Sequence, residues 1–168
     1  MLVLSHVIED TAARIPGTTL IATFQRWSLL RPQLDRYARL TPELAQTYIA
    51  GIADTPAPEF PKTTMLALAE EAPLIHEWVV IASGPRIAAA LVARDRETCQ
   101  PAGRSRWFAG LWTTDPTIVD QLAGDFFAAL GETYQAPQRN TVASIAVARE
   151  LQEDLRAAMR RRNRRDSR

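Results

Sequence analysis

Few side chains in this sequence are equipped for chemistry, and their spacing decides against most of it. His6 and His76 are the two histidines, far apart and with no cysteine beside them, so each reads as a structural or surface residue rather than a metal ligand. Cys99, the one cysteine, lies between Thr98 and Gln100 and reads as an exposed thiol, with covalent attachment of a chromophore as the alternative. Glu70, Glu71 and Glu77 show no spacing that would couple two carboxylates as acid and base. There is no glycine-rich phosphate loop, nucleophile elbow or paired-histidine metal motif. A non-enzymatic protein is the expectation.

What remains is a set of rings and hydrogen-bonding groups suited to holding something flat. "RWFAGLWTTD" (106–115) crowds aromatic residues around a glycine. On a strand, alternate side chains face opposite ways, so Phe108, Gly110 and Trp112 share one face and Trp107, Ala109 and Leu111 the other. Both faces are apolar, and the large rings beside Gly110, with small residues such as Ala88, Ala89 and Ala90 nearby, leave space that something must fill. Three fillers are open. One is a helix carrying Leu34 and Tyr37. Another is a small-molecule pocket in which Phe24, Gln25, Arg26 and Tyr37 join Phe108, Gly110 and Trp112, with a flavin or a tetrapyrrole suiting the rings. The third is a partner protein docking an aromatic residue. For Arg26 alone, a salt bridge to a helix carboxylate such as Asp35 is the competing role.

The elements that would position these residues follow from pattern and punctuation. "LSHVIED" (4–10) reads as a short helix broken by "IPGTT", and "TLIATFQRW" (19–27) as a buried strand rich in β-branched and aromatic residues. Arg31 and Pro32 open a helix to about Leu40. "TYIAGIAD" (47–54) and "TTMLALA" (63–69) read as strands, the second nearly as well as a helical turn, with the Pro-rich "TPAPEFPK" between them. "EWVVIASGPRIAAALVAR" (77–94) is a hairpin turning at Ser83, Gly84 and Pro85. After a polar loop over 95–105 comes the aromatic strand, then a helix capped by Asp115 with Pro116 at its first position and Gly131 as its stop. A second long helix starts at Asn140, with Val147, Leu151, Leu155 and Ala158 on a seam. The expected fold class is α+β: an antiparallel β-sheet flanked by α-helices, with a C-terminal helix and basic tail. Helices after Ser5 and after Pro116 are expected to share one sheet face.

Composition bounds the rest. At 168 residues with 46% hydrophobic content, the chain is long enough for one core. Seven arginines stand against three carboxylates in residues 151–168, so the positive charge belongs to the tail. Such a tail supplies non-specific, salt-sensitive contact to phosphate backbones at most. There is no secretory signal and no run approaching the ~20 apolar residues of a membrane span, and the single cysteine suits a reducing compartment, so the cytoplasm is expected.

"LSHVIED", "FQR" (24–26) with Tyr37 downstream, "EWVVI" (77–81), "IAAALVARD" (87–95) and "WFAGLWTTD" (107–115) occur in an order and spacing that resembles the DICT sensory domain of diguanylate cyclases and two-component systems. The resemblance covers about residues 3–132. It implies a DICT-like sensory domain over residues 1–134, followed by a C-terminal helix and Arg-rich tail over 135–168. It further implies a sensory module that detects a small molecule or a light-linked signal and regulates a partner, a signalling protein or transcription regulator. Related sequences usually have an output domain beside this one, whereas a stand-alone module is expected here. Ala109 stands where they often carry an acidic residue. A protein-interaction adaptor without a small-molecule ligand is the alternative, and the C-terminal seam could either pack on its own domain or pair two copies.

Overall fold

The structure, a computed structural model, describes residues 2–95 and 108–166. Six strands form one sheet: β1 (Thr19–Arg26), β2 (Gln46–Ile52), β3 (Thr63–Ala67), β4 (Glu77–Gly84), β5 (Ile87–Asp95) and β6 (Phe108–Thr113), in the order β3-β2-β1-β4-β5-β6. Four α-helices accompany them: α1 (Leu2–Arg14), α2 (Leu34–Leu40), α3 (Pro116–Ala128) and α4 (Thr141–Asp166). The α+β class holds, but the sheet is mixed rather than antiparallel. β1 pairs in parallel with β2, and β2 in parallel with β3, while β4, β5 and β6 run antiparallel to their neighbours. The reason lies in the connections. Residues 27–45 hold a 3-10 segment (Trp27–Gln33), α2 and a further 3-10 turn, enough chain to return to the starting end of the sheet, which a parallel pair requires. Only β4 and β5 are joined tightly enough for a hairpin.

Local signals set the helix ends. Asp115 accepts a hydrogen bond from the Thr117 amide at 2.8 Å, and Pro116 takes the first turn of α3. Gly131, at φ +72°, occupies the left-handed position after the helix, where glycine is favoured. Asn140 Oδ1 accepts from the Ala143 amide at 3.0 Å and opens α4.

The two sheet faces carry separate cores. One is covered by α1, α2 and α4, with Leu4, Ile8, Tyr37, Val147, Leu151 and Leu155 packed on Leu20, Ala22, Val80 and Leu91. The other is covered by α3, whose Val119, Ala123, Phe126 and Phe127 sit on Ile21, Ile81, Ala88 and Ala90. The first and third helices therefore lie on opposite faces, not on one. The seam of α4 is turned inward against α1 and β5, so it is not presented for pairing with a second copy. That inward packing follows from burial: Leu151 and Leu155 are core residues continuous with the face that α1 covers.

Candidate functional site

The end of β1 is where the regular sheet opens. The β1–β4 ladder reaches its last pair at Ala22 and Val80. Beyond it, the Thr23 hydroxyl substitutes for main-chain pairing, donating to the Glu77 carbonyl at 2.7 Å and accepting from the Val79 amide at 2.8 Å. On the other side, the pairing with β2 shifts between Thr23 and Arg26. An irregularity of this kind breaks strict alternation, and consecutive Phe24 and Gln25 both line one cavity of about 220 Å³. Its other walls are α1 (Leu2, Ser5, His6, Glu9), the 3-10 segment (Leu29, Pro32, Gln33), Tyr37 of α2, His76 at the end of a 3-10 turn (Pro73–His76), and Glu77 and Trp78 at the start of β4.

A buried polar cluster forms the wall between α1 and α2. Glu9 is 5% exposed and accepts from Arg36 Nε at 2.8 Å and from the Tyr37 hydroxyl at 3.2 Å. Arg36 also donates to the His6 carbonyl at 3.1 Å and pairs with Asp10 at 2.8 Å. Burial pushes the Glu9 carboxyl above its ordinary 4.5, against the pull of Arg36 and Tyr37. Burial, and next the Glu9 charge, holds the Tyr37 phenol well above 10, so it remains a donor. His6 is pushed below its ordinary 6.5, first by burial and then by the Arg36 charge. Tyr37 meets Phe24 edge to face, with centroids 5.8 Å apart, and Phe60 stands behind it at 6.2 Å.

The sequence candidates divide. Phe24, Gln25 and Tyr37 come together on the cavity. Arg26 does not line it; its side chain is exposed and approaches Glu70 at 3.9 Å, rather than Asp35. Gly110 and Trp112 lie on β6, the edge strand three positions from β1, and line no part of the cavity. The side chain of Phe108 lies outside the described residues, as does Cys99. The pocket expected beside Gly110 is replaced by close strand packing: a Cβ there would meet the Val92 carbonyl oxygen at 2.5 Å and the Ala93 Cβ at 2.6 Å. Leu111 and Trp112, on opposite faces of this edge, are 52% and 39% exposed.

Sequence reasoning missed His6, Glu9, His76, Glu77 and Trp78. A signal existed for Glu9: Ser5, Glu9 and Ala12 follow one another at helical spacing, one position after the apolar row Leu4, Ile8. A glutamate on that stripe needs a partner, and Arg36 supplies it. The two histidines share the cavity because α1 packs over the β1–β4 junction, a juxtaposition no local pattern encodes. No group of three or more His, Cys, Asp or Glu among the described residues is placed to hold a metal ion.

A second cavity of about 370 Å³, more polar, lies on the opposite side, lined by Tyr48, Thr64, Phe127 and residues 132–135. Binding sites are mostly apolar with a few placed polar groups, a description that suits the first cavity better.

Compared with protein families, residues 1–96 match the model of DICT, the sensory domain in diguanylate cyclases and two-component systems. The chain belongs to the DICT family. DICT is a sensory domain. Comparisons with curated proteins and with solved structures return no match. Every residue lining the first cavity falls inside the segment matched to DICT, whereas β6, α3 and α4 lie beyond it. No helix among the described residues is long and apolar enough to cross a membrane.

Proposed function

We propose that this DICT domain senses a small molecule in the cavity at the β1–β4 junction and conveys its presence to a partner, a signalling protein or transcription regulator. The observation that carries this reading is the cavity itself, confined to the DICT segment and walled by Phe24, Tyr37 and Trp78 with Gln25, His6 and Glu9 among them. Phe24, Gln25 and Tyr37 are the proposed ligand contacts. The size and lining of the cavity disfavour a tetrapyrrole. About 220 Å³ is below the roughly 300–1,000 Å³ of drug-sized sites, and the lining holds no Arg or Lys to meet its carboxylates. The same lack of basic residues disfavours a flavin nucleotide, whose phosphate would enter beside Glu9.

A ligand that binds only the folded state raises stability by about 2.7 kcal/mol at a hundred times its dissociation constant. Thermal unfolding against a metabolite panel reads this as a rise in melting temperature. Phe24→Ala abolishes that rise when each variant is compared with its own unliganded form. No rise with any compound, together with a spectrum showing only tryptophan and tyrosine absorbance, overturns the reading.

The adaptor reading is favoured by one observation: Leu111 and Trp112 are exposed on the edge strand β6, where a partner strand could add. Loss of partner capture in Trp112→Ser without any ligand response would decide for it.

A further inference from the structure

Charge stands close to the cavity without facing it. Glu9 lies on the wall, but its two oxygens accept from Arg36 and from the Tyr37 hydroxyl. Arg36 in turn is held by Glu9, Asp10 and the His6 carbonyl, and it is not among the lining residues. Glu77 alternates along β4 with Val79 and Ile81, which pack under α3. Its carboxylate approaches Arg94, its partner across the strands, at 3.9 Å, so that charge belongs to the opposite face of the sheet. No lysine or arginine among the described residues lines the cavity. Burial, and next the Arg36 charge, pushes His6 below its ordinary 6.5, so its ring is largely neutral at pH 7. His76 is exposed, and water and salt screen whatever charge its ring carries.

An ion entering this space sheds its water and meets no unpaired opposite charge, a cost that a neutral molecule does not carry. What the wall offers instead is apolar surface with a few polar groups. Phe24, Tyr37 and Trp78 supply rings, and Trp78 and Val80 belong to the face of β4 that α1 covers. Such rings receive another ring offset or edge-on. At about 220 Å³ the space exceeds the roughly 150 Å³ apolar cavity that accepts benzene, so one ring with a small substituent fits. The Gln33 side chain makes no capping bond at the start of α2 and stands beside the His6 ring. A primary amide has two donors and an acceptor, and a neutral imidazole one of each, so the pair has capacity for a hydroxyl group beyond the bond between them.

We propose that the ligand is an uncharged, single-ring aromatic molecule bearing one hydroxyl group, with the ring among Phe24, Tyr37 and Trp78 and the hydroxyl on Gln33 and His6. The inference rests on the reading of this cavity as the sensory site and names the chemical class that the site takes.

Four probes test it on the full chain by calorimetry and thermal unfolding: p-cresol, tyramine, 4-hydroxyphenylacetate and toluene. The first three share a hydroxylated ring and differ in charge; toluene lacks the hydroxyl. p-Cresol binds at least about tenfold more tightly than tyramine or 4-hydroxyphenylacetate, each of which buries an unpaired ion. It binds about three- to tenfold more tightly than toluene, the scale of one net hydrogen bond. Gln33→Leu removes the preference over toluene and leaves toluene affinity within about threefold, which separates loss of the hydrogen bond from damage to the cavity. Tyramine or 4-hydroxyphenylacetate binding as tightly as p-cresol overturns the uncharged ligand. No preference for p-cresol over toluene, or one that survives Gln33→Leu, overturns the hydroxyl contact. Binding of none of the four at millimolar concentration overturns the hydroxylated ring altogether. A rise in melting temperature with some other metabolite then leaves the cavity a sensory site, whereas no rise with any compound overturns both readings.

Discussion

The two faces of the sheet are covered by the same kinds of residues in opposite arrangements. Under α3, the rings belong largely to the helix and meet small or slender residues on the sheet. Phe126 and Phe127 descend onto Ala88, Ala90 and Ile81, and Phe127 packs edge to face with Tyr48 at 4.9 Å and stacks on Tyr134 at 5.8 Å. Under α1 the rings rise from strand ends and from α2, as Phe24, Trp78 and Tyr37, and the helix above them presents Ser5, His6 and Glu9. Large meeting small closes the first face; at the second, rings meet Ser5, His6 and a Glu9 drawn aside to Arg36 and Tyr37, and space is left. Hydrophobic content alone does not decide whether a face is sealed. Which partner carries the bulk does.

The largest expected effect breaks this contrast if it fails. Phe126→Ala costs about 3–5 kcal/mol, since the side chain is fully enclosed and its neighbours cannot collapse around the void. Phe24→Ala, on a wall that already borders empty space, costs distinctly less. Equal losses in denaturant unfolding would show the two faces to be packed alike.

Next is α4, which closes the cavity-bearing face at its far side. Leu151→Ala costs about 2–5 kcal/mol by calorimetry, because Leu151 is wholly buried against the residues that α1 also covers. A negligible change would make α4 an appendage and leave that face to α1 alone.

A smaller effect sharpens the electrostatic side of the comparison. His6 is pushed below 6.5, so the unfolded chain binds a proton that the folded chain refuses, and stability falls as pH drops through 6.5. Arg36 stands against this histidine, Asp10 offsets it in part, and Gln33 bonds its ring. Glu9, raised above 4.5, works in the other direction: the folded state takes up its proton more readily, so acidification toward that range favours folding. His6→Gln therefore flattens the melting-temperature profile just below pH 6.5, where Glu9 contributes least. An unchanged slope would mean that the histidine is solvated.

The smallest effect concerns the C-terminal arginines. Ending the chain after Arg160 changes stability by no more than about 0.5 kcal/mol, since Met159, Arg160 and Arg161 are exposed and the last core residue of α4 is Leu155. A clear drop in melting temperature would place the basic tail on the domain.

Much of the fold was legible because its signals are local. The Asp115-Pro116 start, the hairpin at Ser83–Pro85 and the aliphatic stripe of α1 each reside in a few consecutive residues. The parallel pairing was missed although strand, helix and strand follow one another over 19–52, which is itself the signature of a parallel crossover. For the site, Phe24, Gln25 and Tyr37 were accessible from pattern, but their convergence with Trp112 was not real. Strand order places β4 and β5 between them, and order is a non-local property. Glu77 and Trp78 read as ordinary strand residues because nothing local marks the place where the β1–β4 ladder stops.

The central position of β1 has a consequence for how the chain is made. Of the six strands of this sheet β1 leaves the ribosome first, yet its antiparallel partner begins at Glu77 and the core beneath α1 is completed by Leu151 and Leu155. Synthesis runs from the N-terminus, so α1 and β1 must wait, with apolar surface uncovered, for segments separated from them by most of the sequence. Such distant pairings are slow to close, and the waiting intermediate is the kind that chaperones hold. Of these segments, the earliest translated are among the last to be settled.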